Sequence, residues 1–230
     1  MKNILILFCC LTALLPVGCV QKEPLPEEPS PELEAVDMGL SVKWGSFNVG
    51  ASKPEGYGNY YAWGETWTKS EYKADFSNYF FYDSHYKRLI KYCTDSDYGF
   101  VDNRTVLEPM DDVASVLFGG DWRIPTDVEW AELADTANCT WTYESRGGVE
   151  GYVVTSKKTS KSIFLPLAGG FSFASNTDYV GYYGLYWSST LSEEHPLLAF
   201  YYTLPSISHS PAYRSTYYRR SGCTIRPVSK

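Results

Sequence analysis

The order of apolar and polar positions is clearest in the stretch Gly119-Gly120-Asp121-Trp122-Arg123-Ile124-Pro125-Thr126-Asp127-Val128-Glu129-Trp130. A glycine pair that stops a preceding helix is followed by a short apolar run ended by Pro125, and then by a helix start. Thr126 and Glu129 have the spacing of a capping box, in which the Thr hydroxyl accepts an N–H of the first turn and the Glu carboxylate accepts the N–H of the cap residue. The helix so begun carries Val128, Trp130 and Leu133 with Ala131 and Ala134, and is predicted from Thr126 to about Ala137 with Trp130 as a core anchor. Upstream, Pro109–Phe118 has Pro at its start, Asp111 and Asp112 in its first turn and the glycine pair at its stop, which predicts a short helix.

Elsewhere the pattern points to strands. Ser41–Val49 and Asn59–Glu65 are strand candidates with Gly45, Gly50, Gly56 and Gly58 marking turns around them. Further strands are predicted at Gly151–Ser156, Ser162–Leu167, Leu185–Thr190, Leu197–Leu204 and Cys223–Val228, and residues 66–105, aromatic and irregular, as long loops with short helices. Two early helices followed by a run of antiparallel strands make an α+β domain.

Residues 1–35 carry neither period. Met1-Lys2-Asn3, the apolar run Ile4–Leu15 and Pro16-Val17-Gly18-Cys19 read as a secretory signal over 1–18, too short in its apolar part for a membrane span. Gly18-Cys19 resembles the end of a bacterial lipoprotein signal, which makes Cys19 the lipidation site and the lipid the link to a membrane. The following residues to 35 are rich in Pro and Glu and are expected to form an extended tether, so that the globular domain spans 36–230.

Composition sharpens the picture in two ways. Among 230 residues there are 20 Tyr and 7 Trp, an enrichment expected of strands, of a binding face, or of both. The net charge of −7 excludes nucleic acid as a generic partner, since phosphate binding needs a positive footprint. Yet residues 195–230 hold five Lys or Arg and no Asp or Glu. This basic end is either a strand pair with solvated Arg side chains or a recognition surface.

The residue types that carry chemistry are scattered. Cys93, Cys139 and Cys223 are the cysteines beyond Cys19, an odd number that allows one disulfide at most and forms no C-x-x-C motif. His85, His195 and His209 have no i, i+4 pairing, so no metal is expected, and Ser188 and Ser189 lack the G-x-S-x-G elbow of a nucleophile. Glu194-His195-Pro196 does not supply the ligands of a calcium-dependent sugar site. No cofactor is expected.

Several blocks appear in a recognisable order: Val36-Asp37-Met38-Gly39-Leu40-Ser41-Val42-Lys43-Trp44, Asn48-Val49-Gly50-Ala51, Tyr61-Ala62-Trp63-Gly64-Glu65-Thr66, Trp122-Arg123-Ile124-Pro125-Thr126, Tyr186-Trp187-Ser188-Ser189-Thr190 and Ile225-Arg226-Pro227-Val228. With them, residues 36–228 resemble the Fibrobacter succinogenes major paralogous domain family of Bacteroides-type surface lipoproteins. The resemblance implies a C-type-lectin-like fold of the formylglycine-generating-enzyme branch, with two helices packed on twisted antiparallel sheets, on a lipid-anchored outer-membrane protein exposed at the cell surface. Phe47 stands where many relatives carry Cys, and Cys223 where an aromatic or Arg is expected. The copper-binding cysteine pair of the formylglycine-generating enzymes has no counterpart here, so the chain is expected to bind rather than catalyse.

Between Phe200 and Ser221 there are five Tyr, five Ser and three Arg, a composition suited to recognition: Tyr supplies area at low entropy cost, while Ser and Arg supply hydrogen bonds. Alternation along Leu197–Leu204 turns Phe200, Tyr202 and Leu204 inward and Tyr201 and Thr203 outward. The candidate ligand-binding residues are therefore Tyr201, Thr203, Ser208, His209, Tyr213, Arg214, Tyr217, Tyr218 and Arg219, with a glycan or a protein as the ligand. Their place before the Arg-Pro-Val end also resembles the variable region of retroelement-diversified C-type-lectin-like receptors. An adhesin or structural subunit of a surface assembly is the other reading.

Overall fold

A computed structural model describes residues 32–172, 175–206 and 210–230, apart from the side chains of 172 and 175–178. The signal at 1–18, Cys19 and the tether up to residue 31 lie outside the described residues, as do Ser208 and His209.

The two helices form where their caps are. Thr126 and Glu129 make the full capping box, and α2 (Asp127–Ala134) follows. It stops three residues short of the predicted end, because the Asp135 carboxylate accepts the Ala137 N–H at 2.7 Å and turns the chain away from the helix. The upstream helix is split. Asp112 is extended (φ −104°, ψ 110°), which separates a 3-10 turn at Pro109–Asp111 from α1 (Val113–Phe118). Its carboxylate accepts the N–H groups of Ala114 (2.9 Å), Ser115 (3.0 Å) and Ile124 (2.7 Å), so one buried side chain caps α1 and fixes the strand-like stretch before α2. Burial pushes the Asp112 carboxyl up to about 6 even against these three donors.

Glu129 shows the opposite balance. Burial raises its pKa, but the paired guanidinium of Arg123 (Nη1 to Oε2, 2.7 Å) and the Thr126 N–H (2.8 Å) outweigh it, and the net shift is downward. A depressed carboxylate adds stability above its unfolded pKa, near 4.5, and loses it as pH falls through the folded value. Glu129→Gln should therefore differ most from the native protein at neutral pH. The gap in urea midpoint should shrink below about pH 4; a constant gap would count against the ion pair.

Among the described residues thirteen strands accompany the helices: β1 (Ala35–Val36), β2 (Lys43–Gly45), β3 (Tyr82–Asp83), β4 (Arg88–Leu89), β5 (Cys139–Arg146), β6 (Val149–Ser156), β7 (Ser162–Pro166), β8 (Gly170–Ser172), β9 (Ser175–Asp178), β10 (Tyr183–Leu191), β11 (Leu198–Pro205), β12 (Tyr213–Tyr218) and β13 (Val228–Ser229). All pair antiparallel, in the orders β1-β2-β13, β3-β4, β5-β6-β7, β8-β9 and β10-β11-β12. With two helices, the architecture is mainly β and compatible with α+β. Two predicted strands are much shorter than expected. Asn59–Glu65 and Cys223–Val228 meet through the bridge Tyr61–Cys223, and only Val228 and Ser229 join a sheet. Ser41–Val49 is strand only over β2. In compensation β5, β12 and the β3-β4 hairpin appear where no strand was expected.

The sheet β10-β11-β12 lies between two apolar clusters. Trp187, Leu185 and Trp63 belong to one, Tyr186, Tyr202, Leu204 and Trp130 to the other. Trp130 is fully buried, stacked on Tyr202 (5.2 Å between centroids, 15°) and edge-on to Trp44 (4.7 Å). The ordered sequence blocks are the parts that interlock here. The indole N–H of Trp63 donates to the Ser188 carbonyl (2.9 Å), that of Trp187 to Tyr61 (2.8 Å) and that of Trp130 to Trp187 (3.2 Å). Arg123 and Val228 exchange both backbone hydrogen bonds, and Ser189 donates to the Pro125 carbonyl (2.8 Å). Gly58, at φ +75°, lets the Val49 carbonyl approach: a Cβ there would stand 2.5 Å from that oxygen. Among the described residues, no helix is long and apolar enough to cross a membrane.

Candidate functional site

The registers of β10, β11 and β12 decide which side chains share a face. Leu185 pairs with Thr203, and Thr203 with Tyr213; Trp187 pairs with Tyr201, and Tyr201 with Ser215. These residues, with Tyr217, lie on one face, and Tyr186, Tyr202, Leu204, Arg214 and Tyr218 on the other. On the first face a groove of about 380 Å³ is lined by Tyr179, Tyr183, Leu185, Tyr201, Thr203, Tyr213 and Tyr217. The volume is within the range of small-ligand sites.

Tyrosine rings make the walls. Tyr201 and Tyr217 lie 5.5 Å apart at 41°, backed by the buried ring of Trp187 at 6.2 and 6.4 Å. Tyr179 and Tyr183 meet edge to face at 5.5 Å. Tyr179 (57% exposed, φ +69°) and Tyr213 (49% exposed) are the more exposed rings of the lining. The outward direction expected for Tyr201 and Thr203 thus leads to a groove floor: Thr203 is buried and Tyr201 half-buried. Burial raises the Tyr201 phenol pKa, partly offset by the neighbouring Thr203 and Ser215 hydroxyls, so the phenol stays protonated at neutral pH. The Thr203 hydroxyl itself lies beside that phenol without a well-formed hydrogen bond.

Of the nine predicted residues, Tyr201, Thr203, Tyr213 and Tyr217 come together in this groove. Arg214, Tyr218 and Arg219 do not. Arg214 projects from the opposite face, where its guanidinium covers the Phe200 ring at 4.6 Å and donates to Asp127 Oδ2 at 3.0 Å, tying β12 to α2. Tyr218, on that same face, is stacked under Arg220 at 4.0 Å. Arg219 is a correction of a different kind. At 0% exposure it is a core residue, donating to Tyr79 Oη and to the carbonyls of Tyr92 and Pro196 at 2.9 Å and of Lys91 at 3.1 Å, over the Trp63 ring at 4.8 Å. The strand has ended at Tyr218, and the returning chain carries Arg219 inward.

Tyr179, Tyr183 and Leu185 complete the groove without having been anticipated. The antiparallel pairing of the strands predicted at 185–190 and 197–204 would have set Leu185 opposite Thr203. The Tyr182-Tyr183 pair just ahead of it was a further signal.

A second cavity of about 440 Å³ opens in the 66–105 region, lined by Gly64, Thr66, Trp67, Phe80, Phe81, Ile90, Lys91, Met110 and Asp111. Its walls are mostly apolar, and its Lys91 ammonium is held between Asp111 (2.5 Å) and Glu108 (2.6 Å). The three described cysteines are free and buried; burial raises the pKa of each, that of Cys139 to about 11, which leaves them as thiols. Among the described residues no three His, Cys, Asp or Glu side chains gather as a metal site. Comparison of the chain with protein-family models, with characterised proteins and with solved structures gives no match.

Proposed function

We propose that this chain is a binding protein without catalytic activity, carried on the outer membrane at the cell surface by lipid on Cys19. In this reading a C-type-lectin-like domain recognises a glycan or protein ligand with its C-terminal strands and loops. The observation that carries the proposal is the tyrosine-walled groove, in which three strands and the turn before them bring five tyrosine rings together around one concave surface. Two helices beside antiparallel sheets are compatible with the C-type-lectin-like architecture. Against an enzyme of the formylglycine-generating branch stands the state of the described cysteines: Cys93, Cys139 and Cys223 are each a buried thiol, unpaired with one another, and burial raises the pKa of each.

The test is binding of the full-length protein to a glycan array and to mucin, comparing the native chain with Tyr201→Ala, Tyr213→Ala, Tyr217→Ala combined in one variant. Affinity should fall about a hundredfold if the rings are the contact surface. Unchanged binding would move recognition to the second cavity, whose exposed Trp67 and Phe80 offer the other aromatic platform. An adhesin or assembly role is favoured by one observation, the apolar residues Met110, Val116, Leu117 and Val128 left exposed on and around the helices. Self-association reversed by Val116→Lys would support it.

A further inference from the structure

We infer that the tyrosine groove takes an uncharged saccharide and discriminates against acidic ones, a step that rests on the reading of this groove as the binding face. The sequence places a basic segment around the groove, but the structure sends every arginine of it elsewhere. Arg214 is engaged by Asp127 across the sheet, Arg219 and Arg226 are fully buried, and Arg220 is packed against Tyr218 and Phe76. The seven lining residues are five tyrosines, one threonine and one leucine, and contribute no charge. An anionic ligand would leave water for a lining whose described residues hold no counter-charge, a cost that only a pairing cation could offset.

What the groove does supply fits a neutral sugar ring. Tyr201, Tyr217 and Tyr213 line it with aromatic rings suited to the C–H side of a pyranose, and the exposed Tyr213 phenol can both donate and accept toward its hydroxyls. Leu185 is the single aliphatic side chain of the lining. A protein partner would need a far wider contact, of about 800 Å² on each side, and the exposed aliphatic residues Ile90, Val101, Val106, Met110, Val116, Leu117 and Val128 do not line this groove.

The experiment is titration of the full-length protein in detergent with matched oligosaccharides, each core being offered neutral, sialylated and sulfated, at about 50 and about 500 mM NaCl. The neutral members should bind best, with affinity changing less than about twofold between the two salt concentrations. Tyr213→Ala, at an exposed position that the fold does not need, should weaken them about tenfold, and Tyr213→Phe should weaken them less. Preference for the acidic members, or about tenfold loss in high salt, would overturn the inference. If that binding still depended on Tyr213, the groove itself would survive as the site. Binding of neutral sugars indifferent to Tyr213→Ala would overturn the site as well. Binding of deglycosylated protein alone, or of no saccharide, would overturn the inference in favour of a protein partner.

Discussion

Replacing Arg219 with methionine is expected to cost the fold about 4 kcal/mol. The guanidinium is the meeting point of an otherwise irregular region: it holds the carbonyls of Lys91, Tyr92 and Pro196 and the Tyr79 hydroxyl, none of which belongs to a sheet. Methionine fills a similar apolar volume against Trp63 but leaves the three carbonyls without this donor, at about 1–3 kcal/mol each before relaxation, while the Tyr79 hydroxyl keeps its bond to the Trp63 carbonyl. Lysine should recover less than half of the loss, because a point charge cannot reach acceptors spread around a planar fork. The measurement is the urea midpoint with its slope unchanged. A loss below about 1 kcal/mol would show that the loop carbonyls find other partners and that Arg219 does not organise them. The same variant separates structural from recognition roles, since ligand affinity per folded molecule should stay unaltered.

Arg219 also shows what could and could not be read in advance. The start of α2 was legible because capping is local, Thr126 and Glu129 being three residues apart. That of α1 lies four residues beyond the Pro109 start expected from the sequence, because Asp112 is not a residue of the first turn but the cap that bonds two of its N–H groups. The core role of Trp130 followed from its position on that helix. Alternation was right for Tyr202 and Leu204, but its application stopped at β11; carried across the register to β12, it would have set Arg214 beside Tyr202 and away from Tyr213. The strand β5 was missed although Cys139, Trp141 and Tyr143 alternate with polar residues along it and Gly147 and Gly148, both at positive φ, form the two-residue turn of its hairpin with β6. The 66–105 region was beyond local rules altogether. Its order comes from contacts such as those of Arg219 with Tyr79 and Tyr92, which span more than a hundred residues of chain.

The second large effect is expected at Arg226, where Arg226→Lys should lower stability by about 3 kcal/mol and Arg226→Met by more. Arg226 lies at 0% exposure and has no carboxylate partner. Its Nε donates to Asn48 Oδ1 at 2.8 Å, Nη1 to the Gly45 carbonyl at 2.9 Å and Nη2 to the Phe164 carbonyl at 2.6 Å, so one side chain joins the first strands, the β5-β6-β7 sheet and the chain's end. Burial lowers its pKa to about 10, which still leaves it charged at neutral pH. A lysine ammonium there would be a harder ion to desolvate and would keep only part of the fork, so its pKa should fall further and it should give up its proton sooner. The asymmetry between the two buried arginines is testable by hydrogen exchange. Arg219 variants should loosen amides of the 79–98 loops first, whereas Arg226 variants should expose β2 and β7 together, because the carbonyls of Gly45 and Phe164 lose the same partner. Independent loosening of β2 and β7 would mean that Arg226 only fills space between them. Their joint release would identify it as the link through which the ends of the domain hold the sheet that carries the groove.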